Sequence, residues 1–250
     1  MAVDKLSILT FHSLDDSGSA ISFPPQQFAR VINDLKEKGY QSYSLKDAVE
    51  WLRGEKELNS RGVVITFDDG FRSLYTHAYP VLEEAGFHAT LFLTTGYCGK
   101  QNNWETQPPG LPVLPILTWE QVVEMSQSVF SIQSHTRTHP YLSRLPIKAA
   151  QEEILGSKKD IEDRLGKPVD FFCYPYGDDS EALSELVKEH FRGACSVRMD
   201  IFTRRDDPYN LPRIEMYYFG GTLTSGFLTS PFFTPYFMMR KFFRKLRQLI

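Results

Sequence analysis

Two short polar segments of the chain combine residue types that bind metal ions and move protons. The first is Thr66-Phe67-Asp68-Asp69-Gly70, which follows an apolar run at 63–65, and the second is Ser134-His135-Thr136-Arg137-Thr138-His139. One carboxylate and two imidazoles can hold a divalent ion with positions left open for water, while the second carboxylate stays free as a general base. The spacing therefore predicts a metal-hydrolase centre in which the two aspartates have different roles.

These segments can share a site only if the elements before them bring them together. Short apolar runs alternate with amphipathic segments, which is typical of a parallel sheet or barrel. The predicted strands are 6–11, 63–67, 89–93, 130–133, 169–174 and 193–197, and the amphipathic segments include 28–38 and 149–165. Because the carboxyl ends of parallel barrel strands meet at one mouth, we expect both motifs and the turn Tyr174-Pro175-Tyr176-Gly177 to meet there.

Local signals mark the starts of two helices and one long loop. Ser44 precedes Asp47 by three residues and Thr118 precedes Gln121 by three, and both pairs predict capping boxes. Segment 99–115 contains Pro108-Pro109-Gly110 and has no periodicity, which predicts a long loop. This loop lies between the aspartates and the histidines in the chain, so it could form a wall of a substrate groove.

Length and composition fit a single α/β barrel. The chain has 250 residues, 42% of them hydrophobic, which is enough for one full core. A net charge of -3 argues against a partner nucleic acid. The cysteines Cys98, Cys173 and Cys195 show no paired spacing, so we expect buried, reduced thiols. Neither a leader pattern nor an uncharged run of transmembrane length is present, and we interpret the sequence as that of a cytoplasmic protein.

The two motifs, in this order and at this separation, resemble those of the NodB-homology polysaccharide deacetylases, a carbohydrate esterase family. The resemblance implies a distorted (β/α) barrel with about seven strands, here assigned to residues 1–220. It also implies that Asp68 is the general base, and that zinc or another divalent ion is bound by Asp69, His135 and His139.

The turn Tyr174-Pro175-Tyr176-Gly177 and the residues before it correspond to a third family motif, and here the chain departs from the family pattern. The commonest version has an arginine two residues before Pro-Tyr, and this chain has Cys173 there. The segment Leu211-Pro212-Arg213-Ile214 resembles a later family segment whose arginine supplies the missing ion pair, which implies a contact of Arg213 with Asp68. The alternative is a surface arginine at a strand edge. By the same resemblance the backbone amide of Tyr176 helps to stabilise the oxyanion, and the alternative is a turn aromatic that fills the barrel rim.

The family's Leu-x-His motif, which carries the general acid, is absent, and no histidine follows His190. An acid is needed because an amine leaves slowly unless it is protonated. The segment Leu9-Thr10-Phe11-His12-Ser13 resembles the start of a family branch that acts on exported glucosamine polymers and uses this histidine as the acid. The resemblance therefore implies that His12 is the general acid. A histidine that only buttresses the site is the alternative.

The C-terminal segment 227–250 mixes aromatic and basic residues densely, as in Arg240-Lys241-Phe242-Phe243-Arg244-Lys245. Such a segment, within a tail at 221–250, can lie on an anionic membrane surface with its cations near the headgroups. The alternative is a terminal helix that docks on the barrel and buries its aromatic side chains.

Together these features predict a metal-dependent deacetylase whose partner is an N-acetylated glycan. The substrate would be an amino sugar in a bacterial polysaccharide or in its lipid-linked precursor. Two alternatives stay open. One is a glycan-binding module that has lost turnover, and the other is a hydrolase of small cyclic amides. An extended groove would favour the polymer, and a closed pocket would favour the small molecule.

Overall fold

A computed structural model describes residues 4–59, 61–219 and 235–239. Within these ranges the strands are β1 Lys5–Phe11, β2 Ser13–Leu14, β3 Ser22–Phe23, β4 Gln41–Ser42, β5 Gly62–Phe67, β6 Ala89–Leu93, β7 Phe130–Ser134, β8 Phe171–Cys173, β9 Gly193–Cys195, β10 Phe202–Thr203 and β11 Ile214–Glu215. The α-helices are α1 Pro25–Glu37, α2 Leu45–Leu52, α3 Tyr79–Ala85, α4 Trp119–Ser126, α5 Ile147–Leu165 and α6 Glu181–His190. A π-helical turn, Leu74–Ala78, leads into α3, and a 3₁₀ turn, Pro175–Gly177, follows β8.

The main sheet has the strand order β10-β1-β5-β6-β7-β8-β9, with β4 paired to β5 and β11 paired to β1. Its pairings are parallel except that of β1 with β10. Leu211 bridges Cys195 of β9, and Ile214 pairs with Leu9 of β1. Segment 211–215 therefore lies between the last parallel strand and the first, and the sheet curls into the distorted α/β barrel that the sequence predicts.

The strands form because apolar side chains cover both of their faces. Leu6 and Ile8 of β1 pack in a core cluster with residues of α2, whereas Leu9 and Phe11 pack in the larger cluster that also contains residues of α1. This division follows the two-residue alternation of strand side chains. The strands of a parallel sheet that is covered on both faces have continuous apolar sequences. In β5, the five consecutive residues from Val63 onward are buried.

Most local predictions are confirmed. The six predicted strands are present, with ends that differ by at most two residues, and both capping boxes form. The helix predicted at 28–38 begins earlier, at Pro25, because proline is well suited to the first helical turn. Segment 99–115 is largely a loop, and an isolated bridge between Gln101 and Pro115 joins its two ends.

Most of the C-terminal segment lies outside the described residues, so its membrane contact and the domain boundary at 220 stay predictions. Residues 235–239 are helical, Phe237 is fully buried, and the rings of Phe219 and Tyr236 lie 5.7 Å apart. Among the helices of the described ranges, none has the length and apolar character needed to cross a membrane.

Candidate active site

The predicted site residues meet at the carboxyl ends of the parallel strands. His12 directly follows β1, Asp68 and Asp69 follow β5, and His135 follows β7. They line one cavity of about 280 Å³, together with three further residues that the sequence also singled out: His139, Tyr176 and Arg213. The convergence expected of a parallel barrel is therefore present.

Asp69, His135 and His139 form a buried cluster with metal-ligand geometry. Asp69 Oδ1 lies 3.5 Å from His135 Nε2 and 3.2 Å from His139 Nε2. Within the described part of the chain this carboxylate oxygen is buried and has no hydrogen-bond partner. Burial alone would raise the pKa of Asp69, but the two histidines hold it below its usual value, so the carboxylate is ionised. An ionised, unpartnered oxygen facing two imidazole nitrogens fits a divalent cation.

The His135 ring has a fixed tautomer. Its Nδ1 lies 2.7 Å from the carbonyl oxygen of Cys173. A carbonyl can only accept a hydrogen bond, so Nδ1 carries a proton, and Nε2, which faces Asp69, is the nitrogen left for a metal ion. The hydrogen bond thus prepares His135 to act as a metal ligand through Nε2.

The second aspartate is held by a buried arginine. Arg213 donates from Nη1 to Asp68 Oδ1 and from Nη2 to Asp68 Oδ2, both at 2.7 Å. The contact expected from the sequence is present, and Arg213 is not a surface residue, since it is 3% exposed. Burial acts to raise the pKa of Asp68, but the guanidinium lowers it below the usual value. The fork therefore keeps the carboxylate ionised and in one orientation.

Cys173 lies beside this ion pair. Its Sγ is 3.1 Å from Arg213 Nη2 and 3.7 Å from Asp68 Oδ2. Burial raises the pKa of the Cys173 thiol to about 11, so it is neutral at physiological pH. All three cysteines are free, but Cys98 is only partly buried, in contrast to the expectation. The cation missing from the third motif is thus supplied by the segment that closes the barrel.

His12 lies between two carboxylates. Its Nε2 is 3.9 Å from Asp68 Oδ2 and its Nδ1 is 3.7 Å from Glu215 Oε2. Burial lowers the pKa of His12, but the charges of Glu215 and Asp68 raise it, and the net result is above the usual value. Glu215 was missed at the sequence level. The available signal was its position two residues after Arg213, because such residues project to the same face of a strand.

Four non-glycine residues of the described chain have positive φ, and all lie in the turns that form the site. They are Asp69 (70°), Thr136 (67°), His139 (58°) and Tyr176 (59°). This conformation costs on the order of 1 to 3 kcal/mol per residue and persists only where the surroundings impose it. Two of these residues belong to the candidate ligand cluster, so backbone strain is concentrated where side chains must be aimed.

An aromatic group forms one wall of the cavity. The ring of Trp104 stacks on His139 at a centroid distance of 4.5 Å, and the Tyr176 ring contacts the same imidazole at 4.6 Å. Trp104 Nε1 donates to the Tyr176 hydroxyl over 3.2 Å. Tyr176 therefore packs on the rim, as its alternative interpretation stated, while its predicted amide role stays untested. The expectation that loop 99–115 forms a wall is met, but Trp104 was not singled out from the sequence.

The fold and the site define an α/β-barrel hydrolase with a candidate metal centre, and comparisons identify its family. A family model described as polysaccharide deacetylase matches residues 55–191. YxkH from Bacillus subtilis (strain 168), which is named among the polysaccharide deacetylases, is 31% identical over 213 residues, covering 85% of this chain and 71% of YxkH. The poly-beta-1,6-N-acetyl-D-glucosamine N-deacetylase of Staphylococcus aureus (strain MRSA252) is 26% identical over 203 residues, covering 77% of this chain and 67% of that protein.

Solved structures share the fold. The deacetylase PplD from Streptococcus pyogenes superposes with a TM-score of 0.75 at 23% identity, covering 86% of this chain and 93% of PplD. IcaB from Ammonifex degensii gives 0.74 at 24% identity, covering 87% and 95%. The chain belongs to the polysaccharide deacetylase family, whose members are hydrolases that remove N-acetyl groups from glycans. The predicted family and enzyme class are therefore confirmed.

Proposed function

We propose that this protein is a metal-dependent deacetylase that hydrolyses the N-acetyl group of an amino sugar in a bacterial polysaccharide or in its lipid-linked precursor. One observation carries the proposal: three residues with metal-ligand geometry lie beside a second aspartate that a buried arginine holds ionised. That pairing of a candidate metal site with a separate base suits the hydrolysis of an amide.

The proposed substrate is a polymer of N-acetylated glucosamine. Support comes from the similarity to the Staphylococcus aureus enzyme that is named for poly-beta-1,6-N-acetyl-D-glucosamine. The cavity also presents apolar and aromatic side chains, which suit the apolar faces of sugar rings: Ile21, Trp104, Leu111, Tyr217 and Tyr218.

Different residues of the chain would carry out different steps of the hydrolysis. A zinc ion or another divalent ion bound by Asp69, His135 and His139 would supply a Lewis acid and a water molecule of lowered pKa. Asp68, kept ionised by its guanidinium partner, takes the proton of the attacking water. The charged oxygen of the tetrahedral intermediate accepts a hydrogen bond from the Tyr176 amide.

His12 completes the proposed reaction as the general acid. Its Nε2 faces the site near Asp68, and its raised pKa favours the protonated form that an acid requires. It gives this proton to the departing amine, and acetate leaves as the second product.

We also propose a cytoplasmic protein whose segment 227–250 contacts a membrane surface. The aromatic and basic composition of that segment supports this part.

The test uses the full-length protein with β-1,6-linked N-acetylglucosamine oligomers, and acetate release is measured. Chelation should abolish release and added Zn²⁺ should restore it. Asp68→Asn should keep the metal and lose deacetylation by about two to four orders of magnitude. Asp163→Asn, at an exposed carboxylate of α5, should match the wild type.

Two results would contradict the proposal. One is acetate release that persists after the metal has been removed, and the other is an Asp68→Asn variant with normal activity. A small cyclic amide serves as the comparison substrate. Faster turnover of that compound than of the oligomers would favour a small-molecule hydrolase instead.

A further inference from the structure

One carboxylate of helix α5 binds the turn that joins the two histidines of the site. Glu153 Oε2 accepts hydrogen bonds from the backbone N–H groups of Arg137 (2.9 Å) and Thr138 (2.8 Å). Its Oε1 accepts a third bond from the Thr138 hydroxyl at 2.8 Å. All three donors belong to residues that lie between His135 and His139. The helix thus fixes the backbone of the turn directly.

A second carboxylate on the same helix face reinforces this hold. Arg137 donates from Nε and Nη2 to Asp160 at 2.9 and 2.7 Å, and the Thr95 hydroxyl donates to the same carboxylate at 2.8 Å. Glu153 and Asp160 are seven residues apart, which is two helical turns. Gly156 lies between them, and a Cβ there would be 2.5 Å from Arg137 Cζ. The glycine leaves the space that the guanidinium occupies.

The turn needs such external support. Thr136 and His139 both have positive φ, so the turn stores conformational energy. Among the described residues, the His139 ring has no supporting hydrogen bond at Nδ1, which is buried without a partner. His135 differs, because its Nδ1 donates to the Cys173 carbonyl. Apart from its contact with Asp69, the His139 ring is therefore oriented by its backbone and by ring packing.

We propose that Glu153 is a positioning residue for metal binding. It fixes the turn between the two histidines and, through the backbone, places the His139 imidazole opposite Asp69. Glu153 itself does not belong to the ligand cluster. The inference rests on the metal site of the proposed function and adds a residue outside that site.

The experiment measures metal affinity in the full-length protein, with Zn²⁺ alone in competition with a chromogenic chelator. Glu153→Ala should weaken Zn²⁺ binding by about tenfold to a hundredfold, the usual effect of losing a supporting shell around a ligand. Glu153→Gln should recover most of the affinity, because its amide oxygen can still accept the backbone N–H bonds. The matched control is Glu152→Ala, which removes an exposed charge from the same helix and should bind like the wild type.

The absorption spectrum of bound Co²⁺ gives a second readout, since it reports ligand geometry, which a loss of stability alone leaves unchanged. Glu153→Ala should alter this spectrum and Glu152→Ala should not. If Glu153→Ala does not fold, the near-isosteric Thr138→Val variant replaces it. That variant loses one of the three bonds and should bind Zn²⁺ severalfold more weakly.

The outcomes separate the two proposals. A wild-type protein that binds no metal contradicts the proposed function. If the wild type binds Zn²⁺ and Glu153→Ala binds it equally well, the positioning role is wrong. Equal losses in Glu153→Ala and Glu152→Ala would also overturn it, because charge rather than hydrogen bonding would then be responsible. In the Thr138→Val arm, unchanged affinity overturns the inference.

Discussion

The buried pair of Arg213 and Asp68 couples the stability of the protein to its site. Arg213→Ala leaves a buried carboxylate unpaired, and we expect the free energy of unfolding to fall by about 3 to 5 kcal/mol. Urea denaturation at neutral pH measures this change. Arg192→Ala is the control, because its ion pair with Glu50 is long, at 3.7 Å, and only partly buried, so it contributes at most about 1 kcal/mol. A loss for Arg213→Ala no larger than that of the control would contradict the prediction.

The contribution of the Arg213–Asp68 pair to stability should decrease in acid. The pKa of Asp68 is lowered in the folded state, so its contribution to stability is complete above the usual carboxyl pKa. The contribution is lost as the pH falls through the lowered folded-state value. The difference between wild type and Arg213→Ala should therefore shrink in strong acid.

The role of His12 can be tested by changing the leaving group. His12→Ala should slow amide hydrolysis strongly, because the amine must be protonated before it leaves. An activated aryl acetate ester needs little protonation and should be spared. Parallel rate measurements on both substrates, with metal content checked, test the assignment. Full amide activity would show that another group is the acid, and loss of both activities together with the metal would point to a structural role.

Glu215 should set the pH at which His12 loses its proton. A general acid works in its protonated form, so the rate falls as the pH rises through its pKa. Burial lowers the pKa of His12, and Glu215 is the largest influence that raises it. Glu215→Gln removes that charge, so the alkaline limb of the kcat profile should move to lower pH. A profile that is unchanged or that moves to higher pH would show that Glu215 does not raise the pKa of His12.

At the level of elements, the sequence predicts the strands that lie within apolar runs. The six strands whose residues are mostly buried were predicted, because burial on both faces leaves a pattern in the sequence. The two-residue strands were not, and β4 shows the reason. Gln41 and Ser42 have no apolar pattern of their own and pair with β5 only because the surrounding fold brings them there. Strand pairing of this kind is set by tertiary contacts.

Loop 99–115 was predicted from its prolines, but the residue that packs it against the site, Trp104, was not predicted. Trp104 packs on His139, so we expect the loop to lose its fixed position in Trp104→Ala. The value of kcat/KM for the oligomers should fall about tenfold more than that for a small aryl acetate, since only an oligomer is long enough to extend along this wall. Steady-state kinetics on both substrates provide the measurement. Val113→Ala changes an exposed side chain of the same loop and should leave the ratio unaltered. Equal losses on the two substrates would assign Trp104 to the metal site itself.

At the scale of the whole molecule, barrel closure explains which site residues escaped prediction. Arg213 and Asp68 are separated by 145 residues, and they meet because segment 211–215 fills the gap between β9 and β1. Glu215 reaches His12 by the same route. The motif residues could be identified from local spacing. A contact made by closure is not visible in local spacing alone, so Arg213 was reached through a family resemblance, and Glu215, two residues further on, was not predicted.

The candidate metal site also joins elements that are distant in the chain, so metal binding should stabilise the whole fold. An ion that binds only the native state adds about 2.7 kcal/mol when its free concentration is a hundred times the Kd. For a protein of this size that corresponds to a rise in Tm of roughly 5 to 10 °C. Scanning calorimetry with chelator and then with added Zn²⁺ measures the rise.

Variants at the ligands decide whether the rise in Tm comes from this site. His135→Ala and His139→Ala should abolish it, whereas His190→Ala, at the exposed end of α6, should retain it. The rise should also decline as the pH falls, because protonated imidazoles cannot bind a metal ion. If His135→Ala showed the full rise with Zn²⁺, the stabilising ion would be bound elsewhere, and the cluster around Asp69 would not be the metal site.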